Sequence, residues 1–90
     1  MPLIQREVTI KNAQGLHARP AALFVQIASK YNSEVSISKD GEKVNGKSIM
    51  GILTLGAHRD SKVILEAEGD DAQQLIDELE ALLSKENINE

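Results

Sequence analysis

Cysteine is absent from the 90-residue chain, as is tryptophan, and aromatic residues amount to one tyrosine and one phenylalanine. Without thiols there can be no disulfide scaffold, thiolate metal site, iron–sulfur cluster or cysteine nucleophile, and a reducing compartment is compatible. With 2% aromatics, base-stacking platforms and sugar-binding aromatic clefts are excluded as well. The ten Lys and Arg form no dense basic block, and the formal net charge of −4 repels nucleic acid and anionic membranes. No apolar run approaches the ~18 residues of a membrane span, and the first residues lack a basic segment followed by an apolar one. A cytoplasmic protein without membrane insertion or direct nucleic-acid binding is expected. The 41% hydrophobic and 27% charged composition is that of a globular domain, and the length suits one domain spanning residues 1–90. Only two imidazoles are present, so near-neutral proton, metal or phosphoryl chemistry that needs one must use His17 or His58.

Periodicity supplies the elements. Residues 4–11 place Ile4, Val8 and Ile10 on one face of a strand, with Arg6 as an interruption. After turn residues 12–15, Leu16, Pro20, Leu23, Phe24, Ile27, Ala28 and Tyr31 recur at helical spacing. Pro20 must lie in the first turn because it lacks an N–H, so that helix starts close to His17 and Ala18. Residues 34–39 alternate around Val35 and Ile37, and Asp40-Gly41 signals a tight hairpin into a third strand. Ser48 caps a short helix whose Ile49, Ile52 and Leu53 form one face and which Gly56 ends. Residues 62–68 form the last strand, Asp70 and Asp71 open the last helix as acid complementing its positive end, and Ala72, Leu75, Ile76, Leu79, Leu82 and Leu83 make its buried stripe. Residues 87–90 read as a frayed polar end. The order β-α-β-β-α-β-α predicts an α+β open-faced sandwich, an antiparallel sheet covered on one face by helices.

Residues 41–48, Gly-Glu-Lys-Val-Asn-Gly-Lys-Ser, match the nucleotide-binding pattern G-x-x-x-x-G-K-S letter for letter. That pattern works only as a loop of backbone amides wrapped around phosphate, followed by a long helix on a parallel sheet. Here the same residues are needed as hairpin turn and returning strand, so nucleotide binding is not expected.

The chemistry concentrates at Gly15-Leu16-His17-Ala18-Arg19-Pro20-Ala21. A histidine at a helix start sits where backbone amides have no intrahelical acceptor, a setting that favours anions. Arg19 adds a charged fork suited to a phosphoryl group. Imidazole nitrogen is a nucleophile whose phosphorylated form is labile enough to be passed on. A histidine that merely caps the helix is the competing interpretation. His58, in the polar turn before the last strand, reads as solvated, and no metal site is expected from two histidines without a further ligand.

Two separated segments carry a family resemblance. Gly-Leu-His-Ala-Arg-Pro-Ala, followed about thirty residues later by Val-Asn-Gly-Lys-Ser-Ile-Met-Gly-Ile-Leu-Thr-Leu-Gly, resembles HPr, the histidine phosphocarrier of the bacterial phosphoenolpyruvate:sugar phosphotransferase system. The resemblance implies a four-stranded antiparallel sheet with three helices, no cofactor, and a carrier in place of an enzyme. It implies that His17 takes phosphate on Nδ1 from phosphorylated enzyme I and passes it to the A domains of sugar permeases, with Arg19 supporting the phosphoryl group. It assigns Ser48 as the regulatory serine of the ATP-dependent HPr kinase/phosphorylase, and a catabolite-control transcription factor as a further partner. Leu16, Pro20, Lys47, Ile49, Met50 and Leu53 become the docking residues, and a monomer is expected. A purely regulatory paralogue and a nitrogen-branch carrier are alternatives; the retained His17 argues against the first, and Ser-Ile-Met-Gly against the second.

Overall fold

A computed structural model describes residues 2–86, so the expectation for residues 87–90 lies outside the described residues. Strands β1 (Leu3–Thr9), β2 (Glu34–Lys39), β3 (Glu42–Asn45) and β4 (Lys62–Glu68) form one sheet in the order β1-β4-β2-β3, all neighbours antiparallel. Helices α1 (Ala18–Ser29), α2 (Ile49–Thr54) and α3 (Ala72–Ser84) complete the expected sandwich.

The register explains how the pattern makes a core. Ile4, Ala67 and Val35 lie side by side, as do Arg6, Leu65 and Ile37, and Val8 beside Val63. Side chains alternate along a strand, so all of these project to the helix-covered face. α3 packs on β1 and β4 and buries all six residues of its stripe, while α1 contributes the fully buried Phe24, the one large ring in an otherwise aliphatic core. The opposite face carries Gln5, Glu7, Lys62, Glu66, Glu68 and Glu34, with Leu3 and Ile64 exposed among them.

Two strand details differ from expectation. β1 ends at Thr9, two residues early, because Ile10 and Lys11 turn to bond elsewhere: Ile10 with the residue 60–61 turn, and the Lys11 amide with the Leu83 carbonyl at the end of α3. Arg6 does point inward, where its guanidinium meets Asp77 at 2.7 Å and Glu80 at 2.8 Å on α3. Residues three apart share a helix face, so one arginine can reach both carboxylates. The Arg6 hydrogen bond holds the Asp77 carboxyl below its ordinary range.

The far end of the molecule is tied by Asp71, which precedes α3 and looked like a simple complement to the helix dipole. Its carboxylate instead accepts the Asn32 amide at 2.9 Å, the Ser33 amide at 3.0 Å and the Ser33 hydroxyl, clasping the α1–β2 turn. The Ser33 hydroxyl, foremost, lowers its pKa, and Lys30 followed by the Tyr31 hydroxyl lowers that of Glu78. A carboxylate whose folded pKa is depressed contributes stability that is present above its unfolded value, about 3.9–4.3, and lost as pH falls through the folded value. Thermal melts should therefore be level from about pH 7 to pH 5 and decline below about pH 4. The decline should be shallower for Asp71→Asn; a melting temperature that rises on acidification would contradict these assignments.

Candidate functional site

His17 is the N-cap of α1, in extended backbone with φ −92° and ψ −163°, and its carbonyl accepts the Ala21 amide at 3.0 Å. Its ring makes no capping hydrogen bond and is exposed, so the imidazole is not spent on holding the helix. The helix thus starts where Pro20 required; this proline occupies the third helical position, contributes no N–H and is buried against the core. Arg19, one residue into the helix, is exposed.

The backbone beneath this ring is anchored on two sides. Gly15 has φ +72°, and a Cβ there would stand 2.6 Å from the His58 Cα and 2.7 Å from the Ala57 carbonyl oxygen. Only glycine allows both that dihedral and that approach. Leu16 donates its amide to the same Ala57 carbonyl at 2.9 Å and is itself buried. On the other side the buried Asn12 donates from Nδ2 to the Leu82 and Lys85 carbonyls, flanked by Lys11 N to Leu83 O at 2.9 Å and Ala13 N to Glu86 O at 3.2 Å. His58 is exposed as expected, but its backbone is part of the support for the residue 15–17 segment, a role its sequence neighbourhood did not advertise.

The second candidate residue, Ser48, is the N-cap of α2, and its Oγ accepts the Gly51 amide at 3.0 Å. α1 and α2 pack on each other, which brings the two motifs into one region of the fold. The apolar face of α2 is not quite as periodicity drew it. Ile52 is buried and Leu53 half-buried, whereas Ile49 is 41% and Met50 72% exposed. Of the six docking candidates, Leu16 and Pro20 lie in the core and shape the surface from below. The Lys47 ammonium is occupied, bonding the Tyr31 carbonyl at 2.9 Å. Ile49 and Met50 are the apolar side chains presented outward.

Residues 41–48 form no phosphate loop. Asp40 (φ 53°) and Gly41 (φ 87°) make the two-residue hairpin turn, Glu42–Asn45 is strand β3, and the Gly46 amide is used by the Val35 carbonyl at 2.8 Å. A shallow depression lined by Glu34, Ser36, Lys43, Glu66 and Glu68 lies on the uncovered sheet face and contains neither His17 nor Ser48. Among the described residues no group of three or more His, Cys, Asp or Glu could hold a metal ion, and no helix is long and apolar enough to cross a membrane.

An open-faced sandwich with an exposed imidazole at one helix start, beside a second capped helix, has the architecture of the small HPr-type proteins. The family model described as the PTS HPr component phosphorylation site matches residues 4–85, and the chain belongs to this family of the phosphotransferase system, whose members are phosphocarriers and not enzymes. It is 46% identical over 84 residues to the HPr-like protein Crh of Halalkalibacterium halodurans, covering 93% of this chain and all of the relative. The crystal structure of the phosphocarrier protein HPr from Bacillus anthracis superposes with a TM-score of 0.89 at 41% identity, over 92% of this chain and 99% of that one. The crystal structure of Crh from Bacillus subtilis, a catabolite repression protein seen as a dimer with a swapped domain, superposes with a TM-score of 0.75 at 44% identity, over 93% and 97%. That dimer does not accord with the expectation of a monomer.

Proposed function

We propose that the chain is a phosphoryl carrier whose covalent intermediate is phospho-His17, with Ser48 as a regulatory phosphorylation site. The observation that carries this reading is the exposed His17 ring, unused by the fold yet mounted on a backbone fixed at Gly15 and Leu16. The imidazole Nδ1 attacks the phosphorus of phosphorylated enzyme I; a new N–P bond forms as the donor's histidine N–P bond breaks. The reverse sequence hands the group to the A domain of a sugar permease. The first-turn amides point out of the helix start, and the exposed Arg19 supplies charge; each charge-assisted hydrogen bond is worth about 1.5–3 kcal/mol. On an open surface, solvent weakens such contacts, so the phosphoryl group is steadied without being trapped.

Ser48 supports the second half of the reading. A phosphate of charge about −1.5 to −2 would occupy the start of α2, where it is locally favourable, so the fold should accept modification by an ATP-dependent kinase of the HPr kinase/phosphorylase type. The same charge would stand beside exposed Ile49 and Met50. Met50, flexible and polarisable, suits a surface shared by several partners. A protein docking there would have to desolvate the phosphate. Ser48→Asp should therefore lower kcat/KM for transfer from enzyme I about tenfold, about 1.4 kcal/mol, with a melting temperature within a few degrees of wild type. Equal transfer by mutant and wild type would remove the control of transfer by Ser48.

The names of the relatives favour a second reading, in which phospho-Ser48 engages a catabolite-control transcription factor. Incubation with phosphoenolpyruvate and enzyme I, and separately with ATP and the kinase, distinguishes the two. Phosphate on Ser48 alone would leave only the regulatory module.

A further inference from the structure

The loop joining β1 to α1 rests on the last turn of α3. A helix ends with four carbonyls that lack intrahelical donors, and here two of them, with two more just past the end of α3, are met by the loop. Leu83 O takes the Lys11 amide, Glu86 O the Ala13 amide, and Leu82 O and Lys85 O both take hydrogens from the one Asn12 side-chain amide. Asn12 is 3% exposed, and its own carbonyl accepts the Gly15 amide at 3.1 Å, closing the turn that leads into Leu16 and His17. One buried residue thus grips α3 with its side chain and the segment bearing His17 with its main chain.

The arrangement has a cost that a merely space-filling residue would avoid. Asn12 Oδ1 is buried and has no hydrogen-bond partner among the described residues. Leaving a buried acceptor unpaired costs about 1–3 kcal/mol, so what the fold gains from Asn12 must lie in the two donors of its NH2 group. These donors bind the loop to a rigid thirteen-residue helix at the place where a flexible connection would otherwise let the His17 backbone wander.

We infer that Asn12 is a positioning residue for phosphoryl transfer at His17, an inference that rests on the carrier reading above. Loss of its donors should loosen the 11–16 segment and leave His17 to search for its attack geometry after a partner has docked. Misplacement by about an ångström can cost as much as a hundredfold in rate. A partner cannot touch a residue this buried, so docking itself should be spared and the loss should fall on kcat.

The experiment compares Asn12→Ala, Asn12→Leu and Asp71→Ala in transfer from phosphorylated enzyme I, with melting temperatures measured in parallel. Leucine keeps the branched outline and the number of side-chain heavy atoms of asparagine, fills the site where alanine would leave it empty, and removes the unpaired acceptor together with the donors, which keeps the test readable if alanine unfolds the loop. Asp71 clasps the opposite end of the molecule and serves as the control for lost stability alone. The expected result is a kcat reduced about tenfold in both Asn12 variants with KM within twofold, and wild-type kcat in Asp71→Ala even at a larger loss of melting temperature. Wild-type kcat in Asn12→Leu, or an equal slowing in Asp71→Ala, overturns the inference while the carrier reading stands. A wild-type chain that takes no phosphate on His17 overturns both.

Discussion

Gly15→Ala is expected to lower the melting temperature by more than about 10 °C, the largest effect on stability of any single methyl group near the site. Two costs add. Gly15 has φ +72°, where an L side chain costs about 1–2 kcal/mol. The new Cβ would also stand 2.6 Å from the His58 Cα and 2.7 Å from the Ala57 oxygen, both backbone atoms. Neither can retreat as a flexible side chain would, because the Ala57 carbonyl holds the Leu16 amide and the His58 carbonyl holds the Ser61 amide at 3.0 Å. Overpacking of this kind costs about 1–3 kcal/mol, which brings the total to about 2–5 kcal/mol against an overall stability of about 5–15 kcal/mol. Since each kcal/mol moves the midpoint of a domain this size by about 4–8 °C, calorimetry resolves the effect easily. A variant that melts within about 3 °C of wild type would show that the 57–58 segment does not press on the loop as described.

His17→Ala should have the opposite profile: an intact fold and no carrier function at all. The side chain is exposed and makes no capping hydrogen bond, so its removal takes away no contact that holds α1. Phosphoryl transfer from enzyme I, in contrast, needs the ring nitrogen itself, and Arg19 cannot replace it because a guanidinium has no lone pair to offer. Transfer should fall to background while the circular dichroism melt stays within a few degrees of wild type. Persistent acid-labile phosphate in His17→Ala would redirect attention to His58, the chain's other imidazole.

Much of the fold could be read from local pattern. The β4 boundaries and the six buried residues of α3 follow from periods of two and 3.6, and Pro20 and Ser48 located two helix starts within a residue, because proline geometry and serine capping are local effects. Residues whose meaning is a distant partner were not legible. Arg6 looked like a break in a strand until Asp77 and Glu80, over seventy residues away, were seen beside it. Asn12 looked like one turn residue among several, and Asp71 like a dipole complement, for the same reason.

The candidate site divides in the same way. His17, Arg19 and Ser48 are candidates on residue type and position alone, and the structure puts His17 and Ser48 at the starts of α1 and α2 with Arg19 exposed in the first turn of α1. Of the docking candidates, Leu16 and Pro20 are buried, Lys47 bonds the Tyr31 carbonyl, and Ile49 and Met50 face outward, a division that apolar spacing alone does not reveal. The support beneath His17, built from the Asn12–Gly15 loop, the backbone of His58 and the end of α3, depends on three separate stretches of chain meeting. Of these only Gly15 gave a signal in advance, as a residue suited to a sharp turn.

The fate of phosphate taken from phosphoenolpyruvate in the presence of enzyme I tests carrier function most directly. Intact-mass measurement before and after brief acid treatment, with peptide mapping at neutral pH, should find one phosphoryl group, on His17, lost in acid. Acid-stable phosphate, phosphate at another residue, or none on the wild-type chain would contradict the carrier function.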